Sequence, residues 1–105
     1  MKITTWNVNG FRAVLKKGFK ESISKLDPDI LCLQETKAKL EQLSVEDYEI
    51  PGYKMLWNSA ERPGYSGVAT YYKSNLTIDG QVFGLGEEEF DLEGRTLRIN
   101  CDNFV

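Results

Sequence analysis

Residues 27–37 read DPDILCLQETK, and the fold turns on how the middle of that stretch is taken. Ile30, Leu31, Cys32 and Leu33 form an apolar run that follows a turn signal, Asp27-Pro28. Such a run reads as a strand covered on both faces, as strands of parallel sheets are. Upstream, Lys2 to Trp6 is β-branched and aromatic and favours a second strand. Between the two, Phe11, Val14, Leu15, Phe19, Ile23 and Leu26 recur at intervals of three and four. That spacing predicts one helix with a buried stripe, opened by Gly10 and ended by Asp27 and Pro28, with Arg12, Lys16, Lys20 and Lys25 on its other faces. Strand, helix, strand is a βαβ unit, whose right-handed crossover makes the two strands parallel.

Downstream the elements shorten. TKAKLEQLS, residues 36–44, predicts a short helix with Thr36 as N-cap. Pro51 and Gly52 turn the chain into the strand YKMLWN, and after the loop SAERPGY come SGVATYYK, TIDGQVFG and RTLRIN, which read as an antiparallel meander. Trp6, Trp57, Tyr71 and Tyr72 read as core, because nothing spaces them as a base-stacking platform. Asp102 and Asn103 read as a hairpin turn, with Phe104 and Val105 starting a returning strand. An unpaired edge there would invite aggregation, so the sequence is expected to belong to a larger protein.

A chain of 105 residues suits one domain and one core. Its hydrophobic share of 41% and charged share of 28% are those of an ordinary globular protein and exclude a fibrous or disordered one. No apolar run is long enough to span a bilayer, and MKITTW lacks the core of a signal peptide, so no membrane partner and a cytoplasmic or nuclear home are expected. Cys32 and Cys101 cannot staple a chain this size and read as reduced. With no histidine, neither a Ser/His triad nor a Cys/His zinc site can be completed within these residues. The net charge is −3, but residues 1–25 carry six Lys/Arg against Glu21 alone, while GEEEFDLEG, residues 86–94, reads as a solvated acidic loop.

If the parallel strands are neighbours, Asn7 and Glu35 end them on the same rim. An amide oxygen and a carboxylate meeting there make half of a site for a hard cation such as Mg²⁺, which keeps several waters for its substrate. Taken singly, each residue has a plainer reading: Asn7 caps the turn that follows it, and Glu35 is a surface residue.

WNVNGFRA, DPDILCLQETK, GYSGVA and DLEGR occur in this order and, at these spacings, resemble the successive signatures of the exonuclease III and abasic-site endonuclease family, within the endonuclease/exonuclease/phosphatase superfamily. The resemblance implies an α/β fold, the N-terminal portion of a four-layer α-β-β-α sandwich, truncated, with residues 1–105 supplying one mixed sheet and a flanking helix. It implies that Asn7 and Glu35 bind catalytic Mg²⁺, or Mn²⁺, and that Asn9 and Lys37 support them without being ligands. It implies DNA contacts at Arg12, Ala13 and Lys17, where the first helix begins, at Gly64 and Tyr65 in a loop, and at Arg95.

The function implied for the intact protein is Mg²⁺-dependent hydrolysis of DNA phosphodiesters in base-excision repair. The substrate is double-stranded DNA with abasic sites or 3′ ends. No catalytic group beyond the metal ligands is expected within residues 1–105; the rest belongs to a missing C-terminal half, and the 105-residue chain alone is expected to be inactive. Two other readings stand beside this one: a stand-alone, non-catalytic nucleic-acid or protein-binding fragment, and a phosphatase or sphingomyelinase-type member of the superfamily.

Overall fold

The computed structural model describes residues 1–62, 64–83 and 97–101, with side chains described through residue 78. Arg95, the acidic stretch of residues 86–94, and the turn and returning strand expected over residues 102–105 lie outside the described residues, as does the side chain of Cys101.

Strand β1 spans Ile3–Asn7 and β2 spans Ile30–Gln34. They are adjacent and parallel, with Trp6 opposite Leu33 and Asn7 opposite Gln34. The crossover between them is not one helix but two, α1 (Phe11–Leu15) and α2 (Phe19–Leu26). The break falls at Lys16-Lys17-Gly18, where Gly18 takes a left-handed φ of 84° that a residue with a Cβ adopts only at a cost. The apolar periodicity runs on across the break, because Phe11 and Phe19 are both fully buried and their rings meet edge to face at 5.3 Å. Leu26, expected in the stripe, is 40% exposed. Asp27 closes α2 in a left-handed cap, its N–H donating to the Ile23 carbonyl at 2.8 Å.

Thr36 caps no helix. The segment after β2 holds a 3-10 turn at Leu40–Gln42, capped from Lys39, then the short helix α3 (Val45–Tyr48), whose cap is Ser44 with Asp47 returning a carboxylate to the Ser44 amide. Strands β3 (Tyr53–Asn58), β4 (Val68–Lys73), β5 (Ile78–Phe83) and β6 (Leu97–Cys101) follow. They do not form a meander. β4 inserts between β2 and β3, antiparallel to both, giving the order β1-β2-β4-β3, while β5 and β6 pair antiparallel as a separate two-stranded sheet.

One face of the four-stranded sheet makes the core. Trp6, Leu33, Ala69 and Trp57 share one cross-strand row, Leu31, Tyr71 and Met55 another, and both pack on Phe11, Val14, Phe19 and Ile23. The aromatic expectation holds: Tyr71 and Tyr72 are buried, Trp57 meets Phe11 edge to face at 5.1 Å, and Trp6 lies 5.4 Å from Phe19. The Tyr71 hydroxyl donates to the Tyr48 carbonyl at 2.6 Å, and burial pushes its pKa up. β2 is covered on the helix side, whereas its other face is only partly so: Ile30 is buried and Cys32 half-buried, and on β1 Ile3 is 53% exposed.

At the amino end of β1 and β2, the Lys2 amide donates to the Asp29 carboxylate at 2.7 Å, and the Lys73 ammonium reaches Asp27 at 3.1 Å and Asp29 at 3.6 Å. These contacts tie three strands together at the end opposite Asn7. Among the described residues, no helix is long and apolar enough to cross a membrane.

Candidate functional site

Parallel pairing delivers Asn7 and Glu35 to one rim, and their side chains touch: the Asn7 amide nitrogen donates to Glu35 Oε2. Asn7 also performs its plainer role, since its Oδ1 accepts the Asn9 N–H at 3.0 Å, a local turn that carries Asn9 to a φ of 46°. Lys37 completes a ring of contacts. Its ammonium donates to Asn9 Oδ1 at 2.5 Å and lies 3.8 Å from Glu35 Oε1. Asn7, Glu35, Lys37 and Asn9 are thus joined head to tail, and both carboxylate oxygens of Glu35 have a partner. The Lys37 and Glu35 side chains are 38% and 42% exposed, so their attraction is screened and contributes at most about 1 kcal/mol.

The backbone beneath is irregular and bonded on both sides. Glu35 and Lys37 adopt φ values of 53° and 55°. This left-handed region costs a side-chain-bearing residue roughly 1–2 kcal/mol, so these positions persist only because their neighbours fix them. On one side the Gly10 N–H donates to the Glu35 carbonyl and the Phe11 N–H to the Thr36 carbonyl, both at 2.8 Å. On the other, the Thr36 N–H donates to the Gly67 carbonyl at 3.1 Å and the Lys37 N–H to the Ser66 carbonyl at 2.7 Å. Residues 35–37 therefore continue the sheet beyond β2, wedged between the turn after β1 and the entry to β4.

One carboxylate and one amide oxygen suit a hard cation that keeps waters in its remaining positions. Among the described residues, no group of three or more His, Cys, Asp or Glu could hold a metal by itself. The Glu35 carboxylate and the Asn7 amide oxygen, which also accepts the Asn9 N–H, would fill two positions of such an ion's shell.

The other expected site residues are spread around this rim. Arg12 and Ala13 are exposed on α1, and Lys17 is exposed in the turn between α1 and α2. Gly64 and Tyr65 are exposed in the loop before β4, where the Arg62 guanidinium lies 5.3 Å from the Tyr65 ring centroid. Thr36, Ser66 and Gly67 were not among the expected site residues, yet they flank Glu35 through its backbone. Gly67, placed immediately before an apolar strand, was the available signal for a close backbone approach.

Residues 4–103 match the model of the Endonuclease/Exonuclease/phosphatase family. The chain is 40% identical over 105 residues to the exodeoxyribonuclease of Bacillus subtilis, covering 98% of this chain and 39% of that protein. It is 43% identical over 107 residues to the DNA repair nuclease APEX1 of Danio rerio, of which it covers 34%. Among solved structures, an AP endonuclease from Archaeoglobus fulgidus superposes with a TM-score of 0.79 at 31% identity, over 97% of this chain and 37% of that one. The chain thus spans well under half the length of each of these relatives.

Proposed function

From the premise that the chain belongs to the endonuclease/exonuclease/phosphatase family, we propose that it is the metal-holding N-terminal part of a DNA-repair phosphodiesterase, an abasic-site endonuclease with 3′ to 5′ exonuclease activity. The observation that carries this reading is the meeting of Asn7 and Glu35 at the carboxyl ends of two parallel strands.

In this reading Glu35 and the Asn7 amide oxygen hold Mg²⁺ or Mn²⁺. When bound, such a cation would supply positive charge to the phosphate and to the leaving 3′ oxygen. Lys37 and Asn9 keep the two ligands in register. Arg12, Ala13, Lys17, Gly64, Tyr65 and Arg95 grip the duplex, setting position without reading sequence. In this reading water loses a proton as its oxygen bonds to phosphorus, the bond to the 3′ oxygen breaks, and that oxygen takes up a proton to leave as a hydroxyl; no residue of 1–105 is assigned to moving these protons. An abasic sugar is favoured because extruding it sacrifices no base stacking. The cytoplasm, or the nucleus of a eukaryote, is where this substrate lies.

Incision of an abasic duplex by the full-length protein, with and without Mg²⁺, tests the reading. Glu35→Ala is expected to lose roughly 100-fold or more, with a smaller loss for Asn7→Ala. Unchanged incision by Glu35→Ala, or faster hydrolysis of inositol phosphates or sphingomyelin than of DNA, defeats it.

A further inference from the structure

The Glu35 side chain is 42% exposed, so beyond its contacts with Asn7 and Lys37 its position depends on its backbone. That backbone rests against the entry to β4 at one close contact. Thr36 is completely buried, and its Oγ1 has no hydrogen-bond partner. The hydroxyl faces Gly67, where a Cβ would stand 2.4 Å from Thr36 Oγ1, 3.6 Å from the Asn58 carbonyl oxygen and 3.7 Å from the Lys37 nitrogen. A Cβ there would collide with the Thr36 hydroxyl, while the other two distances are ordinary contacts. Gly67 and Ser66 carry left-handed φ values of 92° and 50°, facing the left-handed Glu35 and Lys37 across the two backbone hydrogen bonds already described. A hydroxyl without a partner in so tight a place acts by its volume.

We infer that Thr36 and Gly67 are positioning residues for the cation site: the Thr36 side chain, stopped against the bare Gly67 backbone, sets the height at which Glu35 meets Asn7. This rests on reading Asn7 and Glu35 as cation ligands. Adding volume at Gly67 tilts the segment of residues 35–37 away from β4, and removing it from Thr36 lets the segment sink; either change spoils the spacing of the two ligands.

The test is Mn²⁺ binding by the full-length protein, followed by electron paramagnetic resonance, with the melting temperature recorded alongside. Gly67→Ala is expected to weaken binding about 10-fold or more. Gly52→Ala is the control for backbone strain, since Gly52 has a similar φ of 85° with nothing within 4 Å; it should lower the melting temperature and leave the affinity alone. Thr36→Ala should weaken binding several-fold, Thr36→Val, which keeps the volume, should restore it, and the Thr36→Ala/Gly67→Ala pair should bind more tightly than Gly67→Ala. Wild-type affinity in Gly67→Ala or Thr36→Ala, or an equal loss in Gly52→Ala, overturns the inference. If Gly67→Ala does not fold, the contrast of Thr36→Ala with Thr36→Val decides by itself. A wild-type protein that binds no Mn²⁺ instead sinks the cation site, and this inference with it.

Discussion

The Lys37 ammonium lies 3.8 Å from Glu35 Oε1 and donates to Asn9 Oδ1 at 2.5 Å, so it joins the two sides of the rim. If it keeps the proposed ligands in register, Lys37→Met, which keeps the side-chain length and removes both contacts, should weaken Mn²⁺ binding about 10-fold. Tighter binding in Lys37→Met, with a gain that shrinks as ionic strength rises, would instead make the ammonium a competitor for the Glu35 carboxylate.

Phe11 joins core and rim: its ring is fully buried between Phe19 and Trp57, and its N–H donates to the Thr36 carbonyl. Phe11→Ala should cost about 3–5 kcal/mol in urea unfolding of the intact protein, and Phe11→Leu much less. A loss below about 1 kcal/mol for the alanine variant would show that the aromatic cluster repacks around the gap.

The opposite end of the sheet should respond to acid. The Lys2 N–H bonded to Asp29, helped by Lys73, holds the Asp29 carboxyl below the usual carboxylate range. A carboxylate whose folded pKa is lowered stabilises the fold above its ordinary pKa, and that stabilisation disappears as pH falls through the lowered value. Asp29→Asn should therefore be less stable than wild type at neutral pH, with the two melting curves converging in strong acid. The Lys73 ammonium, bonded to Asp27, is raised instead, so its contribution is complete at neutral pH and is lost only as the solution becomes strongly alkaline. Melting curves that stay parallel down to the lowest pH would refute the Asp29 assignment.

Cys32 is half-buried beside Thr70, and burial pushes its thiol pKa up. Since the thiolate is the reacting form, Cys32 in a Cys101→Ser background should react with a disulfide reagent more slowly than a free thiol at neutral pH, and at the free-thiol rate in urea. Equal rates in both conditions would place Cys32 on an open surface.

What the sequence revealed was mostly what neighbouring residues or simple periodicity determine. The apolar run Ile30–Leu33, the turn at Asp27-Pro28 and the strand ending at Asn7 sufficed for the parallel pair, and that pair brings Asn7 to Glu35. A single helix is what the apolar spacing predicts, because that spacing persists through the break; Gly18 marks the interruption. The meander failed because β4 pairs with β2, a contact between segments far apart in the chain that no local pattern records. Thr36 has the look of a helix cap, yet it is buried against Gly67, and such tertiary packing overrides a local preference.

The central place of β4 also sets an order of assembly. Asn7 and Glu35 are both synthesised early, but the segment that braces Glu35 is held by Ser66 and Gly67. A polypeptide cut after α3 would keep Asn7, Glu35 and the bonds from Gly10 and Phe11 to residues 35 and 36, but would lose the partners of the Thr36 and Lys37 amides, so one flank of the Glu35 segment would stand open until β4 pairs with β2.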